Sequence, residues 1–135
     1  MLYPDGDVYV GQWKAGKREG CGRVFYASDN ISEAAFVSGV REGPGTFWEH
    51  SGYAQVSNHR HGKKIDEGAE WDPRREASWR LVGGDKRERI SLEEAESIAK
   101  NLQLTVPAAP PVLQLPKSWV LKLNHLHESL KNVHA

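Results

Sequence analysis

The only cysteine of this 135-residue chain is Cys21, which lies between Gly20 and Gly22. A nucleophilic thiol needs a nearby base and an orienting partner, and the sequence identifies neither. Pro44 occupies the equivalent place in a second copy of the surrounding motif. A lone cysteine also excludes an intrachain disulfide and a paired-cysteine zinc site, and it is typical of a reducing compartment. We therefore expect no catalytic role for Cys21.

Two histidine pairs have a spacing that metal binding can use. His59 and His61 are two residues apart, so on a strand both imidazoles would share a face and could hold one metal ion. His125 and His127 have the same spacing, but on a helix that spacing points the two rings apart. The sequence offers no evident third ligand for either pair. We expect solvent-facing histidines and no metal site.

Other signatures of catalysis are missing from the sequence. It contains no recognisable paired-carboxylate or nucleophile–base arrangement. Gly11–Gly22 is rich in glycine, but no Gly-Lys-Ser/Thr closes it, as a phosphate-binding loop would require. The sequence therefore predicts a protein that is not an enzyme and that needs no cofactor.

The charge balance and hydropathy exclude further classes. The chain has 18 Lys+Arg and 18 Asp+Glu, and a zero balance argues against a nucleic-acid partner, which calls for a basic excess. No run of about 18 apolar residues could span a bilayer as a helix, and the first 20 residues lack the apolar stretch of a signal peptide. We expect a cytoplasmic protein, with association with a membrane or the cytoskeleton left open.

The elements that would position these residues follow from an internal repeat. All 13 glycines lie between Gly6 and Gly84. The block at positions 9–22 recurs at positions 32–45, so that Phe36 falls on Trp13 and the Arg-Glu pair is repeated. The third copy is partial and the fourth is marginal.

In the first copy, alternating residues predict a strand over Val8–Trp13, a turn at residues 14–17 and a strand over Arg23–Tyr26. We expect four strand glycines to make room for rings of adjacent copies: Gly20, Gly22, Gly43 and Gly45.

The pattern Tyr9-x-Gly11-x-Trp13-x-x-Gly16-x-x-x-Gly20-x-Gly22 resembles the MORN repeat, a hairpin unit of about 23 residues. About three to four repeats are indicated, and the later ones are degenerate. The resemblance implies an elongated stack of antiparallel β-hairpins. Related repeats occur in membrane-junction tethers, lipid kinases, cytoskeletal scaffolds and beside a methyltransferase domain, so the resemblance implies an interaction role and no chemistry of its own.

The sequence after the repeats predicts strands and helices. Strands are expected over Glu76–Val82 and Lys86–Ile90. A helix is expected from Ser91 to about Leu104, because Ser91 and Glu94 form a capping-box pattern before apolar residues at helical spacing. The predicted parts are hairpin repeats over 1–90, a capping helix within 91–106, a proline-rich linker over 107–117 and an amphipathic helix over 118–135. The overall prediction is a mainly β fold with two C-terminal helices.

The sequence favours a non-catalytic protein-interaction scaffold. The alternative is a peripheral membrane adaptor, which would bind acidic phospholipids through basic hairpin tips and the cationic last helix. The last helix could dock on its own sheet or bind a partner or a membrane. The N-terminal sheet edge could support self-association. The residues predicted to bind a protein partner are Tyr9, Trp13, Phe36, Trp48, Trp71, Trp119, Leu123, Leu126 and Leu130.

Overall fold

The structure, a computed structural model, describes residues 2–82 and 87–111. Nine strands within these residues form one antiparallel sheet in the order β1-β2-β3-β5-β6-β7-β8-β9, and β4 pairs with the end of β3. Neighbours in the sheet are therefore neighbours in the chain, as expected for stacked hairpins. The strands are β1 (Val8–Lys14), β2 (Lys17–Phe25), β3 (Ile31–Val37), β4 (Val40–Arg41), β5 (Gly43–Trp48), β6 (Ala54–Arg60), β7 (Lys63–Trp71), β8 (Ser78–Leu81) and β9 (Arg87–Ile90).

The hairpin turns recur with the period of the sequence repeat and lie in a row at one end of the strands. We call this row of turns the tip edge. They are Ala15-Gly16, Ser38-Gly39 and His61-Gly62, and all six residues have positive φ. Two consecutive residues with positive φ define a type I′ turn, whose twist matches that of the flanking strands. The predicted turn at residues 14–17 is confirmed, and the same geometry recurs in the next two copies.

The turns between hairpins recur with the same period along the opposite edge, the connecting edge. Each has one residue with positive φ at the same position of its copy: Gly6, Asp29, Gly52 and Arg75. The period therefore continues to the hairpin of β8 and β9, where the glycine pattern in the sequence has faded. The predicted strands over 76–82 and 86–90 are confirmed, with shorter bounds.

Gly20 and Gly43 have a different role from the one expected. Their φ values are 69° and 87°, so the positions favour glycine because of their backbone conformation and not because a ring lies above them. A Cβ on Gly45 would lie 2.8 Å from the backbone oxygen of Glu33. The expected ring contact is wrong at these three positions.

The two faces of the sheet follow from the strand register, because residues directly opposite each other point to the same side. The tyrosine face carries Tyr9, which is followed across the strands by Val24, Ser32, Phe47, Gln55, Glu70 and Trp79. The other side, the helix face, carries the row Val8, Phe25, Ile31, Trp48, Ala54, Trp71, Ser78 and Ile90.

Helix α1 (Leu92–Asn101) lies on the helix face against β7 and β8. Ser91 is its N-cap: its side-chain oxygen accepts the N–H of Glu94 at 3.1 Å, as the capping pattern predicted. The helix ends three residues before the predicted Leu104. Its buried residues Ala95, Ile98 and Ala99 form the larger core cluster with Val56, Ala69 and Trp71 of the sheet.

The chain after α1 stays on the helix face. Pro107 is buried, and the carbonyl oxygen of Ala108 accepts the indole N–H of Trp48 at 3.1 Å. The first residues of the predicted linker are thus held against the sheet. The remainder of the linker and the predicted amphipathic helix over 118–135 lie outside the described residues.

Candidate binding surfaces

The tyrosine face has a buried aromatic centre at its N-terminal end. The Tyr9 ring lies over Gly11 and Gly22, which are opposite each other in β1 and β2, and a Cβ on Gly22 would clash with the ring. Gly22 therefore makes room for a ring, as expected, but the ring belongs to its own hairpin and not to an adjacent copy. The phenol of Tyr9 donates a hydrogen bond to the Gln12 carbonyl at 3.0 Å. Burial raises the pKa of Tyr9, so this hydroxyl stays protonated.

Three rings and one guanidinium form this aromatic centre. Tyr9 makes edge contacts with Trp13 and Phe36, at centroid distances of 5.0 and 5.7 Å. The Arg18 guanidinium lies 4.5 Å from the Phe36 centroid, and it also donates to the Gly39 carbonyl at 3.1 Å. Tyr9 and Phe36 are buried, whereas Trp13 is 40% exposed. Among the three rings, only Trp13 has a substantial exposed surface.

An open groove of about 560 Å³ lies beside Trp13. Trp13 and Arg18 form one part of its wall, while the acidic side chains of Asp5 and Asp7 form another. Tyr26, which also lines the groove, accepts a hydrogen bond from the Arg41 guanidinium at 2.6 Å. The wall formed by the exposed indole and the cation is suited to an acidic or aromatic peptide side chain, whereas the wall formed by the two carboxylates disfavours an acidic one.

The C-terminal end of the tyrosine face repeats the pairing of ring and arginine. Trp79 lies next to Tyr53, with centroids 6.0 Å apart. The guanidinium of Arg87 is 4.4 Å from the Trp79 centroid, and that of Arg89 is 5.4 Å away. Arg87 also forms an ion pair with Glu70 at 2.7 Å. Here the cation over the ring has an anionic partner within the chain.

His59 corrects the expectation of solvent-facing histidines. It takes the aromatic position of the third copy on the tyrosine face and is 8% exposed, whereas His61 is exposed at a tip. Burial, and then the positive charges of Arg41 and Lys64, lowers the pKa of His59. Within residues 2–82 and 87–111, no group of three or more His, Cys, Asp or Glu residues could hold a metal ion.

The residues predicted to bind a partner divide between the two faces. Tyr9, Trp13 and Phe36 come together on the tyrosine face. Trp48 and Trp71 lie on the helix face and are buried, Trp71 within the cluster that α1 covers. Of these five rings, only Trp13 is substantially exposed, and the other four are buried by packing. Trp119, Leu123, Leu126 and Leu130 lie outside the described residues.

The tip edge is built by hydrogen bonds between consecutive repeats. The N–H of Gly39 donates to the Arg18 carbonyl at 2.9 Å. The Glu19 carboxylate accepts the N–H of Ser38 at 2.8 Å. The same two bonds recur one repeat later, from Gly62 to Arg41 at 3.0 Å and from His61 to Glu42 at 2.7 Å. We call the two carboxylate contacts the tip latches. The repeated Arg-Glu pair in the sequence was their only signal.

The connecting edge has a corresponding set of contacts that the sequence prediction missed. Asp7 accepts the N–H of Ala27 at 2.9 Å, and in the next repeat Asn30 accepts that of His50 at 3.0 Å. At the next turn, the side chain of Arg75 makes the contacts between neighbouring turns. It donates to the carbonyl oxygens of Gly52, Asp72 and Pro107 at 2.8, 2.6 and 2.9 Å. A single arginine thus ties two turns to the chain that follows α1.

The tip edge also exposes cations and apolar side chains. Val37 and Val40 are 53% and 43% exposed around the second tip. Exposed lysines lie beside the first and third tips: Lys14, Lys17, Lys63 and Lys64. Lysines around exposed aliphatic groups are a composition found where proteins contact anionic membrane surfaces. Among the described residues, no helix is long and apolar enough to cross a bilayer.

A single antiparallel sheet of hairpins that recur at a constant period defines a class of β-hairpin repeat protein. The MORN repeat family model matches residues 9–31 and 33–49, which run from β1 through β5. Residues 9–31 and 33–49 therefore carry MORN repeats, as the sequence predicted, and the count of three to four repeats stays a prediction. MORN repeats are a non-enzymatic repeat type that commonly binds proteins or membranes. A comparison with curated proteins found no match.

Proposed function

We propose that this protein is a non-catalytic, cytoplasmic interaction scaffold that binds a partner protein at the Trp13 groove. The exposed indole of Trp13 carries this proposal. A tryptophan that is 40% exposed beside the Arg18 guanidinium has the composition of a binding hot spot. Trp13 lies on the buried Tyr9 ring, so it needs little reordering on binding, and pre-organised side chains bind at a lower entropic cost.

The partner segment is expected to carry an acidic side chain and an aromatic or aliphatic one. Arg18 already stacks on Phe36, so its plane is fixed. A fixed guanidinium loses little freedom when a carboxylate joins it. The indole of Trp13 supplies the apolar contact.

Selection of 15-residue peptides on the immobilised full chain tests this function. Selected peptides are expected to be enriched in Asp or Glu and in aromatic or aliphatic residues. Their affinity should fall about tenfold or more for Trp13→Ala, because a hot-spot side chain contributes about 1.4 kcal/mol or more. Val10→Ala removes an equally exposed side chain from the helix face and serves as the matched control. The proposal fails if no peptide is enriched, or if peptides bind equally to both variants.

A second function has its own supporting observation, which is the tip edge with its four exposed lysines around Val37 and Val40. This edge would bind vesicles containing acidic phospholipid. Sedimentation with phosphatidylserine vesicles at low and moderate salt is the measurement, with phosphatidylcholine vesicles as the control. Each lysine near an anionic surface contributes about 1 kcal/mol, so Lys63→Gln/Lys64→Gln should weaken binding by roughly 30-fold. No binding at either salt concentration would rule this function out.

A further inference from the structure

Coverage of the helix face is incomplete within the described residues, although Val8 and Trp48 in its N-terminal half are buried. Over the C-terminal half, α1 buries Val56, Ala69 and Trp71. Over β1, β2, β3 and β5, the same face forms an open groove of about 480 Å³. We call it the helix-face groove. Its lining is largely small or apolar, and includes Val10, Cys21, Ala35, Pro44, Thr46 and Leu104.

The rim of the helix-face groove is polar. Arg23 and Glu33 lie in the same cross-strand row as Val10, and their side chains form an ion pair at 2.7 Å. Both side chains are nearly half exposed. An apolar floor beside a charged rim fits an amphipathic occupant, which would place apolar groups on the floor and leave the ion pair in water.

The chain itself leads to this groove. Leu104, three residues after the end of α1, forms part of the groove wall. Pro107 and Ala108 are then fixed to the sheet by hydrogen bonds from Arg75 and Trp48. The described chain ends at Pro111, and the sequence continues to Ala135. The continuation therefore starts from a point anchored on the same face.

We propose that residues 118–134 of this chain occupy the helix-face groove and cover the N-terminal half of the helix face beside α1. The segment has apolar residues at spacings of four and three, which would form one stripe on a helix: Trp119, Leu123, Leu126, Leu130 and Val133. The six residues from 112 to 117 can span about 20 Å, which is the width of about four strands. Tethering gives the segment an effective concentration that a separate chain rarely reaches.

Cys21 provides a direct probe of this cover, because it is the only cysteine and lies in the groove lining. The rate at which the Cys21 thiol of the full chain reacts with a charged disulfide reagent is measured. Leu126→Asp/Leu130→Asp places two carboxylates on the apolar stripe and should raise the rate about tenfold or more, because a covered thiol reacts only after local opening. Asn124→Asp/Asn132→Asp adds the same charge to the opposite side of the helix and should leave the rate near that of the unsubstituted chain.

Equal reaction rates in the two variants would overturn the proposal. A second measurement keeps it falsifiable if the stripe variant also loses sheet structure by circular dichroism. Leu126→Cys in the full chain is oxidised with diamide, which takes up the two hydrogens lost when the disulfide forms. The proposal requires an intramolecular disulfide with Cys21. Disulfide-linked dimers alone would overturn it in favour of a second copy as the occupant, and two free thiols would overturn it altogether.

Discussion

The two halves of the sheet hold their neighbouring hairpins together in different ways. In the N-terminal half, the tip latches tie each hairpin to the next through Glu19 and Glu42. In the third copy, the equivalent residue is Ile65, which has no carboxylate. There, stability comes from α1, which covers the helix face and completes the larger core cluster. The N-terminal hairpins combine the tip latches with the aromatic centre of the tyrosine face, whereas the C-terminal ones are stabilised by the packing of α1 on the helix face.

The residues of one cross-strand row make the contrast concrete. Counted from β1, the row holds Val10, Arg23, Glu33 and Thr46, and then Val56 and Ala69. The backbone register is continuous along it, yet burial changes from exposed to complete. The hairpin period thus fixes the backbone, while the side chain at each position decides whether a surface can be covered.

The largest expected effect comes from exchanging residues between the two halves. Val56→Glu places a carboxylate in a fully buried position and should lower the free energy of unfolding by about 3 kcal/mol or more. Glu33→Val, two strands away in the same row, removes an exposed ion pair and should change it by less than about 1 kcal/mol. Urea denaturation followed by circular dichroism measures both. Similar losses in the two variants would show that the halves do not differ in burial.

The tip latches give the next largest effect. Glu19→Ala and Glu42→Ala each leave a turn N–H without its carboxylate acceptor, and each should lower the free energy of unfolding by about 1–2 kcal/mol. Glu96→Ala, on an exposed position of α1, is the control and should stay within about 0.5 kcal/mol. If all three variants lose the same free energy of unfolding in urea denaturation, the latches contribute nothing beyond ordinary surface charge.

Loss of the helix cap should affect one half only. Ser91→Ala removes the acceptor for the Glu94 N–H and should destabilise α1 by about 1 kcal/mol. Native-state hydrogen exchange should show faster exchange in α1 and β7, with β1 and β2 unchanged. The same acceleration in all four elements would mean that the halves unfold as one unit.

The smallest expected effect concerns His59, and it depends on pH. Because burial and nearby cations lower the pKa of the folded-state imidazole from 6.5, the unfolded chain takes up the proton first as pH falls. The free energy of unfolding should therefore decrease between pH 7.5 and 5.5. His59→Phe should remove that part of the decrease. The substitution should also raise the free energy of unfolding by about 0.5–1 kcal/mol at pH 7.5, because a phenyl ring at this position can pair with a cation as Phe36 does with Arg18.

Urea denaturation of both proteins at the two pH values measures this difference. Asn58→Asp, on the neighbouring residue of the same strand, adds an acidic group without removing the imidazole and is the control. An equal pH dependence in the unsubstituted chain and in His59→Phe would assign the effect to other groups.

The hairpins, their turns and the capped helix could be predicted because local rules determine them. Gly16 and Gly39 mark turns, alternation marks strands such as β1, and Ser91 with Glu94 marks a helix start. The face on which a given ring lies is harder to predict. Phe47 and Trp48 are adjacent, so one must point to each side, but the sequence does not say which side α1 will cover.

The roles of Glu42 and Arg75 could not be predicted for a related reason. Both act through backbone groups of the next turn or of the chain after α1, and a backbone partner leaves no complementary residue type in the sequence. The polar type of His59 predicts a surface residue, and this prediction is wrong. Its place in the repeat, where Trp13 and Phe36 are aromatic, was the better guide.

The hydrogen bonds along the tip edge also fix the distance between successive tips. Each tip is one hairpin from the next, and two strand spacings amount to about 10 Å, which is also about the Debye length at 0.1 M salt. A charge on one tip is therefore partly screened from the next tip at that salt concentration and largely screened from the tip after it. The charge at one tip can therefore be changed almost independently of the charge at a distant tip. Removing Lys63 beside the third tip, for example, leaves the electrostatic potential at the first tip nearly the same.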